Sequence, residues 1–175
     1  MQVPTKLPRL LLPALQVVHE GQRRGVALGG VFSAGARDDG PPFGGARGGG
    51  KSDAVCGDFI SHEDLYGQHA IAMAFRRQRT DLTELIERAK QIMVPLGFKW
   101  HEQDKYFRGT KGGRLRFTYL ENDSDADAYQ GHNYTRLYPE EMGTFPSETP
   151  IMKLRATLRS GHGVPCQMKG TCNPG

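Results

Sequence analysis

The stretch GGARGGGKS, from Gly44 to Ser52, decides how the fold of the whole chain is interpreted. From Gly45 onward it matches the pattern G-x-x-x-x-G-K-[ST] at every position, and an apolar pattern typical of a helix follows at once. Glycines let successive backbone N–H groups turn inward around an anion, and the N-terminus of the following helix adds partial positive charge. The stretch therefore predicts a phosphate-binding loop.

The end of this loop carries the groups that a nucleotide and a magnesium ion need. Lys51 can reach the β- and γ-phosphates, and the Ser52 hydroxyl can ligate Mg²⁺. A glycine-rich linker has no reason to end in Gly-Lys-Ser before a helix, and a Rossmann loop would need G-x-G-x-x-G without the lysine. ATP and Mg²⁺ are the predicted cofactors, and the predicted nucleotide-binding residues are Gly45, Ala46, Arg47, Gly48, Gly49, Gly50, Lys51 and Ser52.

Composition narrows the class of protein. The 175 residues fit one ordinary domain, and 37% hydrophobic with 24% charged residues exclude a disordered polyelectrolyte and a membrane protein. The net charge of +4 is only a weak argument for a polyanionic partner. The three cysteines form no CxxC pair and are odd in number, which argues against a disulfide framework or a four-ligand zinc site and predicts a reducing compartment. No stretch approaches the roughly 20 apolar residues that span a bilayer, which predicts a cytoplasmic protein.

Helices and strands alternate downstream of the loop, which predicts an α/β fold with a mostly parallel sheet flanked by helices. Asp81 and Glu84 are spaced as in a capping box and predict the start of the second helix, which Pro95 and Gly97 end. The predicted elements are a helix from Lys51, a strand over Ala70 to Phe75, the helix just described, a turn at Gly109 to Gly113, strands around Leu115 to Tyr119 and Tyr134 to Tyr138, a helix over Thr149 to Leu158, and a strand over Val164 to Thr171.

The segment before the loop gives little periodicity. A P-loop normally follows a buried strand, yet Asp38 to Phe43 reads DDGPPF, which is a poor strand, so the strand could instead lie within Gly25 to Phe32. We therefore divide the chain into an N-terminal segment of residues 1–43 and a P-loop domain of residues 44–175.

An adjacent pair of acids, Glu140 and Glu141, follows the short strand at Tyr138. A hydrolysing P-loop protein needs one acid to hold Mg²⁺ and another to orient the attacking water. The alternative is an ordinary exposed Glu-Glu turn. Pro139 between the strand and the pair is unusual because proline removes a ladder donor.

Two other groups of charged residues are candidates for binding sites. Asp123, Asp125 and Asp127 have the D-x-D-x-D spacing of a calcium loop, but Ala128 and Tyr134 stand where glycine and glutamate are needed, which favours a solvated acidic loop. Basic side chains could contact DNA phosphates or a nucleotide, or simply be solvated; they form two clusters, Arg76, Arg77 and Arg79, and Lys153, Arg155 and Arg159.

The order of these segments resembles the large terminase subunit, the ATP-driven DNA packaging motor of tailed bacteriophages. The resemblance covers about residues 44–175 and rests on GGARGGGKS, FRRQRTDLTELIERAK, YQGHNYTRLYPEEMGTFP, PIMKLRATLRS and TCNPG. It implies that Lys51 and Ser52 belong to the Walker A loop and that Arg47 stabilises transition-state charge. It also implies Glu140 as the Walker B acid, where the family usually has aspartate, and Glu141 as the catalytic base.

The resemblance further implies that Thr171 and Asn173 form a coupling motif that senses the γ-phosphate. The implied function is hydrolysis of ATP to drive viral DNA into a capsid, in the host cytoplasm. The implied partners are double-stranded viral DNA, a portal protein, a small terminase subunit and further copies of the chain in a ring, with no membrane.

Family members continue beyond the segment that resembles this chain, through more of the ATPase sheet and a nuclease domain. The expectation is therefore a partial ATPase domain, incomplete at the C-terminus and without nuclease activity. Two alternatives remain open: another P-loop DNA translocase or helicase, and a module that binds nucleotide without turnover.

Overall fold

The computed structural model describes residues 31–33, 43–44 and 50–172, with side chains described from residue 50 onward. The predictions for Gly45, Ala46, Arg47, Gly48, Gly49 and Asn173, and for most of residues 1–43, lie outside the described residues.

Three helices and eight strands make up this part of the chain, together with four single-turn 3₁₀ helices. The helices are α1 (Lys51–Tyr66), α2 (Arg79–Met93) and α3 (Thr149–Arg155). The strands are β1 (Val31–Ser33), β2 (Phe43–Gly44), β3 (Ile71–Arg76), β4 (Lys99–His101), β5 (Tyr106–Arg108), β6 (Arg114–Tyr119), β7 (Arg136–Pro139) and β8 (Gln167–Cys172). The 3₁₀ helices are Gly67–His69, Val94–Leu96, Asp125–Tyr129 and Met142–Thr144.

The strands form one sheet in the order β1-β8-β7-β3-β6-β5-β4, and β2 also pairs with β8. Its centre is parallel, because β3 pairs in parallel with both β6 and β7, and β8 pairs in parallel with β7 and β2. The edges are antiparallel, with β1 against β8 and with β4, β5 and β6 joined as a meander. This mixed sheet with flanking helices confirms the predicted α/β class.

Apolar side chains pack on both faces of the sheet. On one face, α1 and α2 bury residues such as Phe59 and Leu85 against the alanines of β3 and the aromatic residues of the meander. On the other, α3 and the turn at Asp125–Tyr129 cover Met73, Phe75 and Leu137. Because β3 is covered on both sides, its sequence is a continuous apolar run rather than an alternating one.

The helix boundaries correct two predictions. The capping box at Asp81 and Glu84 is wrong: α2 begins two residues earlier, behind Gln78, and no side chain caps its first turn within the described residues. The last helix ends at Arg155 rather than Leu158, because Leu158 instead forms a parallel bridge with Tyr134.

The strand boundaries also differ from the prediction by one to three residues. The last strand begins at Gln167 rather than Val164, and β7 begins at Arg136 rather than Tyr134. A two-residue strand, Phe43–Gly44, does end the unpromising DDGPPF segment and pairs in parallel with β8. The strands β4 and β5 were missed because each has only three residues, too few for an alternating pattern.

A glycine turn joins β5 to β6 and is held by a buried acid. The Gly109 N–H donates to the Gly113 carbonyl at 2.8 Å, and the Glu63 carboxylate on α1 accepts the N–H of Lys111 at 2.6 Å. A Cβ at Gly113 would overlap the Glu63 side chain and lie 3.0 and 3.2 Å from the backbone oxygens of Gly67 and Ala70. The turn therefore has no room for a methyl group at Gly113.

Gly113→Ala is expected to lower the free energy of unfolding by about 1–3 kcal/mol, because overpacking displaces backbone as well as the Glu63 side chain. Urea denaturation measures the change. The matched control is Gly161→Ala, where an added Cβ meets nothing within 4 Å. Equal effects of the two substitutions would contradict the steric explanation.

Candidate functional site

The candidate site lies where the first turn of α1 meets the carboxyl ends of three parallel strands. Open α/β sheets bind ligands at this edge, because the loops that follow the strands converge there. Here β3 ends at Arg76, β7 is followed by Glu140 and Glu141, and β8 carries Thr171. The sequence prediction named three of these four residues and missed the partner role of Arg76.

The start of α1 suits an anion. Gly50 has φ +73°, a left-handed conformation that favours glycine, and its carbonyl accepts the first helical hydrogen bond from Ala54 at 2.9 Å. No side-chain cap occurs at this helix end among the described residues. Lys51 and Ser52 are the first two helical residues, and both are half-buried.

Glu140 is buried and paired with a cation. Its side chain is 1% exposed, and its Oε2 accepts hydrogen bonds from Nε of Arg76 at 2.9 Å and from Nη2 at 2.6 Å. Its other oxygen, Oε1, is buried and has no hydrogen-bond partner within the part of the chain that the structure describes. One oxygen of the carboxylate is thus committed to Arg76, and the other is available for a ligand.

The pKa of Glu140 is raised, chiefly by burial, while the charge and hydrogen bonds of Arg76 act in the opposite direction. The neighbouring Glu141 carboxylate also raises this pKa, and the Ser52 hydroxyl lowers it as a nearby hydrogen-bonding group. The Ser52 hydroxyl lies close enough to Glu140 to lower its pKa, but Oε1 of Glu140 accepts no hydrogen bond from it. The predicted magnesium residues Ser52 and Glu140 therefore lie together.

Pro139 directs Glu140 into this position. The Thr135 N–H donates to the Ile71 carbonyl at 2.7 Å, and every second residue of a parallel strand donates to the same neighbour, so residues 137 and 139 are in step with it. Proline has no N–H, and the N–H of Glu140 donates to the Phe75 carbonyl instead, at 2.9 Å. The proline that looked unusual in the sequence thus shifts the ladder by one residue where the acid pair begins.

Glu141 is held in a conformation that is uncommon for a residue with a side chain. Its φ of 54° and ψ of 50° place it in the left-handed region, and it is half-buried. Its N–H donates to Oγ1 of the buried Thr171 at 3.1 Å, and its carbonyl accepts from the Thr144 hydroxyl at 2.8 Å. Thr171, a predicted coupling residue, therefore contacts the backbone of the predicted catalytic base.

Arg76 links the site to α2 as well. Its Nη1 donates to the Asp81 carbonyl in the first turn of α2 at 2.8 Å, while its backbone carbonyl accepts the N–H of Leu120. The sequence analysis left Arg76 among basic residues that could contact phosphates or be solvated, and the structure instead buries it against Glu140. Its place directly after the apolar run of β3 gave no local signal of this pairing.

A second polar cluster, partly buried, connects α1 to β7 and β8. The Asp58 carboxylate on α1 accepts a hydrogen bond from the Tyr138 hydroxyl at 2.7 Å and forms an ion pair with Lys169. Burial alone would raise the pKa of Asp58, but the charge and hydrogen bond of Lys169 bring it below its usual value. Nearby, His62 has its pKa lowered to about 4, first by burial and then by the charge of Arg136.

Several of the other charged groups from the sequence analysis have local partners, whereas Arg79 and Arg155 are exposed. Nη1 of Arg77 donates to the Leu120 carbonyl at 2.6 Å, and Nζ of Lys153 pairs with the Asp127 carboxylate. The carboxylate of Asp123 accepts a hydrogen bond from the Ser147 hydroxyl. No cluster of three or more metal-ligating side chains occurs among the described residues.

Comparison with solved structures supports the fold class. The mixed sheet, parallel at its centre and flanked by helices, is similar in fold to solved large terminases. The large terminase of a thermophilic bacteriophage, in complex with ADP, has a TM-score of 0.54 and 20% identity, with 74% of this chain and 31% of that chain covered. A second crystal form of the same terminase gives a TM-score of 0.56 and 19% identity, with coverage of 74% and 32%.

This likeness shows the fold and supports, at the level of fold, the resemblance found in the sequence. The chain spans about a third of the length of the large terminases that it matches. No protein-family profile matches the sequence, and a sequence search of curated proteins gives no match. No helix in the described part of the chain has the length and apolar character that crossing a bilayer requires.

Proposed function

We propose that this chain is the ATPase domain of a phage large terminase subunit, which hydrolyses ATP to ADP and phosphate to power viral DNA packaging. The observation that carries the proposal is the meeting of Ser52, at the start of α1, with the buried acid Glu140 at the end of β7. A P-loop hydroxyl beside an acid that follows a parallel strand is the arrangement that binds a nucleotide-associated cation. The solved large terminase with the same fold holds ADP.

The residues at this edge fit a magnesium ion. A buried carboxylate oxygen without a partner among the described residues, next to a serine hydroxyl, supplies the hard oxygen ligands that Mg²⁺ prefers. In the proposed function, Ser52 and Glu140 would hold Mg²⁺, directly or through water. When bound, the ion would neutralise charge on the β- and γ-phosphates.

In the proposed reaction, Glu141 orients a water molecule in line with the γ-phosphate. The water oxygen forms a bond to the γ-phosphorus, the bond to the bridging oxygen of ADP breaks, and the Glu141 carboxylate accepts the proton of the water. Lys51, and Arg47 in the loop before it, would stabilise the negative charge that develops on the phosphate oxygens. Thr171 would transmit the loss of the γ-phosphate, because it holds the backbone of Glu141.

The proposed biological setting follows from the same assignment. Double-stranded viral DNA, a portal protein and a small terminase subunit are the proposed partners of the whole protein, with a ring of copies in the host cytoplasm. Thr171 and Asn173 are the proposed coupling residues. Stimulation of the whole protein's ATPase activity by a portal would distinguish a packaging motor from another DNA translocase or helicase.

Nucleotide binding without turnover is the second candidate function. It is favoured by the pairing of Glu140 with Arg76, because one of the two carboxylate oxygens is already committed to a cation. Under this alternative, the chain would bind ATP and ADP but release no phosphate. Measurement of binding and of phosphate release on the same sample separates the two candidates.

Lys51→Ala is expected to weaken the binding of a fluorescent ATP analogue by about 10- to 100-fold, since a charged hydrogen bond contributes about 1.5–3 kcal/mol. Fluorescence titration of the chain in the presence of Mg²⁺ measures the dissociation constant. Lys111→Ala is the control, because Lys111 pairs with Asp64 near the other end of α1. Similar affinities for both variants and the original chain would refute the assigned phosphate site.

A further inference from the structure

We propose that the outer face of the β4-β5-β6 meander binds the phosphate backbone of double-stranded DNA. This basic sheet face consists of the side chains that point away from α1 and α2, namely Lys99, His101, Tyr106, Arg108, Arg114 and Arg116. The surface lies apart from the nucleotide site. It concerns the DNA partner of the proposed function but does not depend on ATP binding or hydrolysis.

Strand register places the cations of this face side by side. Lys99 pairs with Arg108, and Arg108 pairs in turn with Arg114, so three cations lie in one row across three strands. All three are exposed. Neighbouring strands are about 4.8 Å apart, so the row concentrates three positive charges within about 10 Å. A second row, two residues along each strand, contains the fourth cation, Arg116, opposite Tyr106.

No described element covers the row of Lys99, Arg108 and Arg114. The intervening residues of the same strands, Trp100, Phe107 and Leu115, point into the core beneath α1 and α2. On the outer side, α3 and the turn at Asp125–Tyr129 cover β3, β7 and β8, and the turn also reaches the end of β6, where the Tyr129 hydroxyl lies 2.7 Å from Oγ1 of Thr118. Arg116, nearer this end, is half-buried, whereas the row of three lies beyond the cover and is exposed to solvent.

The four cations of the face have no charged or hydrogen-bonding side-chain partner among the described residues. Lys99, Arg108, Arg114 and Arg116 form no ion pair or side-chain hydrogen bond with any described residue. Like charges directly opposite each other on adjacent strands destabilise a sheet. Repulsion among the three cations of the row therefore opposes folding. A polyanionic partner would neutralise these charges and remove the repulsion.

The aromatic groups on the face favour duplex over single-stranded DNA. Single-stranded nucleic acid is bound chiefly by stacking of its bases on free aromatic rings. Here the rings of His101 and Tyr106 are stacked on each other, with centroids 4.4 Å apart and planes 6° apart. The groups of the face that are free to bind a partner are therefore its cations. They suit a DNA duplex, which carries one negative charge per about 1.7 Å of its axis.

The test uses the full chain and a fluorescently labelled 20-base-pair duplex, without nucleotide, in anisotropy titrations at several salt concentrations. The triple variant Lys99→Gln, Arg108→Gln, Arg114→Gln is compared with Arg79→Gln, Arg155→Gln, Arg159→Gln. The two variants lose the same charge, but the second lies in the basic clusters that the sequence suggested for DNA contact. The expected result is about 10- to 100-fold weaker duplex binding by the first variant only, with the salt slope of log K reduced by about 2.7, or 0.9 per lost phosphate contact.

Thermal unfolding provides a readout that separates loss of binding from loss of structure. The face variant is expected to melt at the same temperature as the original chain or a higher one, because its like-charge repulsion is removed. Equal weakening by both triple variants, weakening by the control alone, or no duplex binding by the original chain would overturn the proposal. So would tighter binding of single-stranded DNA than of the duplex, since that requires base stacking.

Discussion

Glu141→Gln is expected to slow ATP hydrolysis by about 10²- to 10⁴-fold, while binding of ATP is retained, because glutamine cannot accept the proton of the attacking water. The substitution keeps the size of the side chain. It also leaves the hydrogen bond from the N–H of residue 141 to Thr171 in place, since that bond involves only the backbone of residue 141. The loss should therefore fall on the chemical step rather than on the position of the loop.

Phosphate release by the chain in the presence of Mg²⁺, measured beside binding of a fluorescent ATP analogue, tests this expectation. Glu121→Gln is the control for the removal of one negative charge, because Glu121 is exposed and follows β6. If the original chain releases phosphate no faster than both Glu141→Gln and Lys51→Ala, then hydrolysis by this chain is rejected. Nucleotide binding would remain to be judged from the titration.

Arg76→Gln is expected to lower the free energy of unfolding by about 3–5 kcal/mol, because it leaves the Glu140 carboxylate buried without a compensating charge. The double substitution Arg76→Gln, Glu140→Gln removes both charges and should be less destabilising than Arg76→Gln alone. Denaturant unfolding of the two single variants and the double variant gives the coupling energy. Arg79→Gln, an exposed arginine three residues on, is the control and should change the stability by no more than about 0.5 kcal/mol.

The pH dependence of Arg76→Gln has a definite sign. Burial raises the pKa of Glu140, and loss of Arg76 would raise it further, because the arginine opposes that shift. An acid whose pKa is higher in the folded than in the unfolded state binds more protons when folded, so stability falls as pH rises. The destabilisation by Arg76→Gln should therefore shrink on acidification. If the difference in unfolding free energy between the original chain and Arg76→Gln stayed constant from about pH 8 to about pH 5, lost packing rather than an uncompensated charge would be the cause.

Much of the fold was predictable because local patterns and tertiary packing agree. The structure confirms three elements that sequence patterns predicted. They are the strand with the continuous apolar run before Arg76, the helix α2 with its helical spacing of apolar residues, and the alternating strand β6. The errors fall where tertiary contacts decide a boundary. Leu158 leaves the helical pattern to form a bridge with Tyr134, and the short strands β4 and β5 depend on pairing with β6.

The candidate site was predictable as a set of residue types but not as a set of contacts. The sequence patterns indicated Ser52 and Glu140, the family resemblance added Thr171, and the structure brings all three to one edge of the sheet. The pairing of Arg76 with Glu140 joins residues 64 positions apart. An arginine at the end of a strand looks the same in sequence whether it is solvated or buried against an acid, so only the sheet order reveals the pair.

The position of Asp58 constrains how this domain can move. Its single carboxylate joins α1 to β7 through Tyr138 and to β8 through Lys169, so these elements are connected by partly buried polar contacts. Under the proposed function, a tilt of α1 on loss of the γ-phosphate would move β8 with it, because sliding of one element past the other would break the ion pair between Asp58 and Lys169.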